Sequence, residues 1–276
     1  MPNYYAHLEF GRHVLEALPL PLRRSIAREK DAFLLGLFGP DPLFFCPVPP
    51  GRPRRLGMEM HRQALRPVAE RLRQAIQENQ PQARGYAAGF LCHFVLDSAC
   101  HGAVDAWSAQ GPHTHAAIEA EMDRALMLQM GLDPMRDTPI PPQLPVEVLH
   151  KIIPAVYPKV ALWQYRWGYG CFCRVSRLLT LANGTRWRRI VDWAARTFPG
   201  CAPIRGMVLT RVPDAESVER SRILLEALFA AVPAATVALE RFFSAAQLDS
   251  WYDQDFHGQP CVSHTPQELT PAAAQC

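Results

Sequence analysis

The sequence contains almost nothing that reads as a β-strand. No stretch of useful length alternates apolar and polar residues, so helices are left to build the core. Among eight cysteines there is no Cys-x-x-Cys pair; the nearest spacing is Cys171-x-Cys173. That removes thiolate zinc knuckles and dithiol redox motifs. Scattered thiols in a chain of 276 residues fit reduced, mostly buried cysteines of the cytosol. The first twenty residues carry His7, Glu9, Arg12, His13 and Glu16 in place of a signal peptide's apolar core. A cytoplasmic location is therefore expected. The apolar run 223–239 is broken by Glu226 and Pro233, and no transmembrane segment is expected. Strong charge is missing as well. The net charge is +3, and the basic residues, nearly all arginine, are scattered or in short runs such as 52–55 and 186–189. Nothing in that balance calls for a stable nucleic-acid partner.

What is present is helical periodicity. At 49% hydrophobic the chain can bury a sizeable core. The pattern predicts helices over residues 3–18 (capped by Asn3), 22–38, 58–79 with an irregularity at Pro67, 85–107, 114–130, 146–153, 157–181, 185–198 and 215–248. Proline-rich stretches at 46–54 and 133–145 read as loops, and the tail after Gly258 as disordered. The expected fold is an all-α, multi-helix bundle. Residues 1–132 form a ligand-rich half, residues 146–250 a second half packed on it, and residues 258–276 a tail.

One stretch organises the rest: GYAAGFLCHFVLDSACHGAVDAW, residues 85–107. It is long, mostly apolar and free of proline. His93, Asp97 and His101 interrupt it at steps of four, which place all three on one helix face. Burying such groups is costly unless something pairs with them, and a divalent ion does so well. The plain alternative is a core helix whose histidines find ordinary hydrogen bonds. Further ligand types lie nearby in sequence. His7 is in the first helix, Asp41 in a Gly-Pro-Asp-Pro turn, and His61 near the start of the third helical segment. His115 and Glu119 sit four apart on another helix. Singly, each has an ordinary reading: Asp41 as a turn former, His61 as a surface residue, Glu119 as part of an exposed stripe with Glu121 and Asp123. Together they suggest a His/carboxylate metal centre between facing helices.

That ordered series resembles the zinc-dependent phospholipase C family and, more distantly, single-strand-specific zinc nucleases. The segments carrying it are YYAHLEFG, FGPDPLFF, MEMHR, GFLCHFVLDSACH and HTHAAIEAEMD, within about residues 1–130. The resemblance implies an all-helical bundle holding two to three zinc ions, with other divalent metals compatible with the same donors. Asp97 would bridge two of them, and His61 and His93 would complete one site, with Asp41 as a ligand or as the base beside it. His7 would serve the other, together with the chain's N-terminal amine. His101, His115 and Glu119 would hold the third. The family's later histidine lies six residues beyond the bridging aspartate, after a proline. Here His101 is four residues on, with no proline, which leaves His113 as an alternative ligand.

The activity expected on these grounds is hydrolysis of a phosphodiester by a metal-activated water. Substrates would be phosphoester small molecules or phospholipid headgroups, with peripheral membrane contact. Two alternatives stand beside it. One is a non-catalytic bundle stapled by zinc that binds a lipid or protein; the other is a zinc nuclease. The aromatic-rich segment 157–187 reads mainly as core packing, with a headgroup pocket or membrane contact as the alternative. His150, His257 and His264 read as surface or tail residues.

Overall fold

The computed structural model describes residues 4–46, 52–138, 144–198 and 204–261. Eleven α-helices lie in these residues: α1 (Tyr4–Ala17), α2 (Leu20–Ala27), α3 (Lys30–Gly36), α4 (Arg52–Met60), α5 (Arg66–Gln77), α6 (Ala83–Gln110), α7 (His115–Gln129), α8 (Ile152–Val156), α9 (Leu162–Ala182), α10 (Trp187–Thr197) and α11 (Ala215–Ser244). No strand occurs among the described residues; the sole pairing of that kind is the bridge between Gln254 and Pro260. The all-α expectation holds.

The axle of the bundle is α6. Its residues from Tyr86 to Asp97 are all buried, because its apolar residues run right round the helix. α1, α3, α7 and α11 pack around it. The approach of α3 is the tightest. A Cβ placed on Gly89 would lie 2.1 Å from the Phe33 carbonyl oxygen, and one on Gly36 2.4 Å from that of Tyr86. Only glycine permits the two backbones to meet this closely. At the start of α6, the Glu29 carboxylate accepts the Gly85 N–H at 2.6 Å, putting a negative charge at the helix N-terminus.

Prolines and local geometry split two elements that the periodicity runs together. The expected helix 22–38 divides at Arg28 and Glu29, where Glu29 leaves helical geometry (ψ 41°). The expected helix 58–79 stops at Met60 and resumes at Arg66. Pro67 opens α5, a position where its missing N–H costs nothing. The segment 146–153 is also not one helix. Val146–Leu149 is a 3-10 turn and α8 follows it. Asn3, the expected first cap, and residues 262–276 of the expected disordered tail lie outside the described residues. Residues 258–261 do not begin a tail. Asp255 N–H donates to Gln259 O at 2.9 Å, and Cys261 N–H to Asp253 O at 2.8 Å.

One apolar core runs from Tyr5 to Phe256, with a smaller cluster around Leu179, Ala182, Met207 and Val208. The aromatic segment is divided. Tyr157, Tyr165, Tyr169 and Phe172 are buried, whereas Trp163, Trp167 and Trp187 are exposed. By length and hydropathy alone α6 and α11 are both apolar enough to cross a membrane. α6 is the core helix, and α11 lays one face on α1, α6 and α7.

Candidate metal centre

The α3–α6 contact sets the site's first wall. With the helices this close, the Leu37 carbonyl oxygen lies 3.1 Å from His93 Nδ1. Gly39, at φ +49°, passes so near the His93 ring that a Cβ would be 2.6 Å from it. The turn then delivers Asp41 at the start of the 3-10 helix Asp41–Phe45. α9 braces this turn from outside. A Cβ at Gly168 would strike the Pro42 carbonyl oxygen at 2.2 Å, and the Tyr165 hydroxyl donates to Gly39 O at 3.2 Å. The break after α4 places His61. Its Nδ1 pairs with Gly57 O at 2.8 Å, and its carbonyl accepts the Phe256 N–H at 3.3 Å. In both His61 and His93, a backbone carbonyl claims Nδ1–H. That tautomer leaves Nε2 as a lone pair aimed inward, the usual preparation of a metal-binding imidazole.

Asp97 is the centre. Its Oδ1 lies 3.3 Å from His7 Nε2 and 3.5 Å from His101 Nε2; its Oδ2 lies 3.3 Å from His93 Nε2 and 3.7 Å from His61 Nε2. Two imidazoles thus face each oxygen. The gaps are long for hydrogen bonds. They suit donors sharing an ion: two ligands about 2.0–2.1 Å from one tetrahedral zinc stand roughly 3.4 Å apart. Asp41 Oδ1 adds to the first station at 3.5 Å from His61 Nε2 and 3.9 Å from His93 Nε2. Opposite, Glu119 Oε1 lies 3.4 Å from His101 Nε2 and 3.1 Å from His115 Nε2. Three sets of ligand atoms close enough to hold an ion result: His7, His93 and Asp97; Asp41, His61 and His93; His101, His115 and Glu119.

Unsatisfied polar atoms give an independent test of fit. Both ring nitrogens of His7, Asp41 Oδ1, His93 Nε2 and His101 Nδ1 are buried without a hydrogen-bond partner among the described residues. Natural interiors rarely leave such groups unpaired. Three of these five atoms, His7 Nε2, Asp41 Oδ1 and His93 Nε2, face one another's ligand sets, where a divalent ion or the water it binds would satisfy them. The donors, imidazole nitrogen and carboxylate oxygen, are those zinc takes.

The electrostatics follow from this crowding. Burial pushes the His93 imidazole down to about 4, so it is neutral at physiological pH. Burial also opposes the charge on His101, but Asp97 and Glu119 outweigh it and push that imidazole up to about 9. The Asp97 carboxyl is held well below the usual range, against its own burial, by His101, His93 and His7. Glu119 is likewise depressed despite full burial, with His115 and His101 among the causes.

All eight sequence-stated residues, His7, Asp41, His61, His93, Asp97, His101, His115 and Glu119, therefore meet around Asp97. His113 does not join them; it lies 3.5 Å from Asp214 and 3.8 Å from Glu216 at the start of α11. The straight helix from Asp97 to His101 carries His101 into the cluster, so no alternative ligand is required. The exposed-stripe reading of α7 fails, because Glu119 and Asp123 are buried. Asp123 caps α1, accepting the Ala6 N–H at 2.9 Å and the Tyr5 N–H at 3.2 Å. The N-terminal amine lies outside the described residues.

Two neighbours were not foreseen. Asp105, one turn beyond His101 on α6, accepts from His115 Nδ1 at 2.9 Å and from His257 Nδ1 at 2.6 Å. The surface reading of His257 is thus corrected: its ring centroid is 5.2 Å from that of His101. Phe256 beside it packs on His61 at 4.7 Å and Phe94 at 4.9 Å. The signal for Asp105 was available, since it continues the four-residue step of His93, Asp97 and His101. For His257, 152 residues further on, no local pattern existed.

Fold and site together define a class: helical bundles with a multi-station His/carboxylate centre between the helices. Residues 6–162 match the family model described as zinc dependent phospholipase C, and the chain belongs to that family. The match extends past the region 1–130 on which the resemblance was drawn and contains all eight residues above. No curated protein and no solved structure matches the chain.

Proposed function

We propose that this chain is a zinc-dependent phosphodiester hydrolase of phospholipase C type that acts from the cytoplasmic side on a phospholipid headgroup or related phosphoester. The observation that carries the reading is the split environment of Asp97, with two imidazoles on each carboxylate oxygen. A carboxylate so placed suits a bridge between two ions, and paired ions suit phosphate-ester cleavage. His61, His93 and Asp97 Oδ2 would hold one ion with Asp41 as the base beside it, His7 and Asp97 Oδ1 would hold a second, and His101, His115 and Glu119 a third. When bound, zinc supplies Lewis-acid activation of water and neutralises charge on the phosphoryl oxygens.

The chain's own groups do the rest. His93, neutral at physiological pH, offers its Nε2 lone pair without first losing a proton. Asp41 stands on a turn stiffened by Pro40 and Pro42 and braced by α9. Its Oδ1 has no hydrogen-bond partner among the described residues, which frees it to orient the attacking water and take its proton. Tyr165 and Gly168 hold the backbone on either side of Asp41, at Gly39 and Pro42. Phe256 covers His61 and His93 with apolar surface, which lowers the local dielectric and strengthens every charge interaction within.

The test combines metal analysis of the purified chain with hydrolysis of an activated phosphodiester and of a choline phospholipid, with and without chelator. Zinc-dependent turnover of both supports the proposal. Stoichiometric zinc with no hydrolysis sinks the enzyme and leaves the second reading, a zinc-stapled bundle. The burial of Asp97 and Asp41, 2% and 6% exposed, favours that second reading. Cleavage of single-stranded DNA in preference to phospholipid would instead identify a nuclease.

A further inference from the structure

The α9–α10 hairpin has a second face that the metal centre does not use. α9 turns 100° per residue, so Trp163, Trp167, Gly170, Arg174, Leu178 and Leu181 fall within about 80° of arc. The opposite side carries Tyr165, Gly168, Phe172 and Leu179, all buried, and it is this side that braces the Asp41 turn. Among the described residues the outward stripe has no such cover. Trp163 is 52% exposed, Leu178 64% and Leu181 66%. On α10 only Ala195 is buried, while Trp187, Ile190 and Trp193 are each more than half exposed. Four of the chain's six tryptophans therefore stand on this one hairpin, all four in solvent. Exposed apolar side chains are ordinary one at a time; four exposed tryptophans with exposed leucines on one hairpin are not.

Charge decides what covers it. Between residues 162 and 198 there are seven arginines and one acid, Asp192, a net of +6 in a chain whose total is +3. Among the described residues two of the seven are engaged, Arg188 with Asp192 at 3.3 Å and Arg166 with Glu147 at 2.7 Å. Arg174 is exposed within the stripe, and Arg177, Arg186, Arg189 and Arg196 are exposed on the same hairpin. A second copy of the chain is a poor occupant, because a two-fold contact would set +6 against +6. A nucleic-acid strand calls for a groove that tracks its backbone, and these are convex helix faces. Tryptophan and leucine rimmed by arginine is the composition of a helix lying in a bilayer interface, aromatic rings at headgroup depth and guanidinium groups on anionic lipid.

We propose that the outer face of α9 and α10 is a docking surface for anionic phospholipid bilayers. The proposal rests on the phospholipase reading for its biological sense and not for its physics. The helix that rests on the lipid is the one that braces the Asp41 turn, so docking and the metal centre share one rigid element.

The experiment is co-sedimentation of the full chain with vesicles of phosphatidylcholine alone and of phosphatidylcholine doped with phosphatidylserine. The wild-type chain is expected to partition about tenfold more onto the anionic vesicles and to be released by salt. Trp187→Ala with Trp193→Ala, and separately Arg174→Gln with Arg186→Gln and Arg189→Gln, should each lower partitioning about tenfold. Helicity and zinc content should stay unchanged, since these side chains are exposed. Brominated lipids should quench the wild-type tryptophans, a measurement independent of any variant. Absence of binding to anionic vesicles, unaltered binding by both variants, or a concentration-dependent dimer abolished by the same substitutions would overturn the proposal. Turnover of a soluble phosphodiester is read in parallel. If vesicles bind and nothing is hydrolysed, the enzymatic reading falls and the docking surface stands. If soluble ester is hydrolysed and vesicles are ignored, the reverse holds.

Discussion

Zinc should bind the His101 station with a proton cost that can be measured. In the metal-free chain, Asp97 and Glu119, at 3.5 and 3.4 Å from Nε2, push His101 up to about 9. A metal needs the neutral ring. At about pH 7.5 His101 is nearly all protonated, and removing the proton costs about 1.5 pH units, or roughly 2 kcal/mol. Apparent zinc affinity at this station should rise about tenfold per pH unit from about pH 6.5 to about pH 9 and level off above. His93, pushed down to about 4, contributes no proton in that window. The sign agrees with stability. A histidine raised in the folded state stabilises the metal-free fold fully below its unfolded value of about 6.5, and that contribution is lost as pH rises through about 9. Zinc's stabilisation of the fold should therefore grow over the same interval. The assay is chelator competition across pH, paired with proton release on zinc addition in weak buffer. About one proton per chain from this station is expected near neutral pH. A pH-independent affinity with no proton released would refute the reasoning, because His101 would then not be the protonated ring between two carboxylates.

Further outcomes test the surrounding parts. Asp41→Asn should lower kcat on a soluble phosphodiester by about 10²–10³-fold while circular dichroism stays unchanged. Asp105→Asn should weaken zinc at the His115 station by about 10–100-fold, read by chelator competition, because the carboxylate that sets the His115 tautomer at 2.9 Å becomes an amide. Gly89→Val should destabilise the fold by about 3 kcal/mol or more, seen as a lower Tm, since even a Cβ would lie 2.1 Å from the Phe33 backbone oxygen. Thr114→Ala should cost only about 1 kcal/mol, through loss of the α7 cap to Ala117 N–H at 3.2 Å.

The all-helical class was legible because every long segment repeats its apolar residues at the helical period, and that period is a local property. The four-step face of His93, Asp97 and His101 was legible for the same reason. Helix ends were less so. The chain breaks between Met60 and Arg66 where the periodicity runs on. The break matters to the site because it turns the His61 carbonyl toward Phe256. A proline inside a pattern signals a fault without saying where the helix resumes.

The sequence by itself determined the inventory of candidate metal ligands and its order along the chain, since donor chemistry and i, i+4 spacing are carried by residue type and number alone. Only the tertiary structure decided how those donors share Asp97. That depends on the glycine-permitted approach of α3 to α6, a contact between backbones with no side-chain signature beyond the glycines themselves. The tertiary structure likewise brought His257 to Asp105 across 152 residues. It also turned α9 so that one face holds the Asp41 turn and the other carries bare tryptophan, because which side of a helix meets the core is settled by its neighbours.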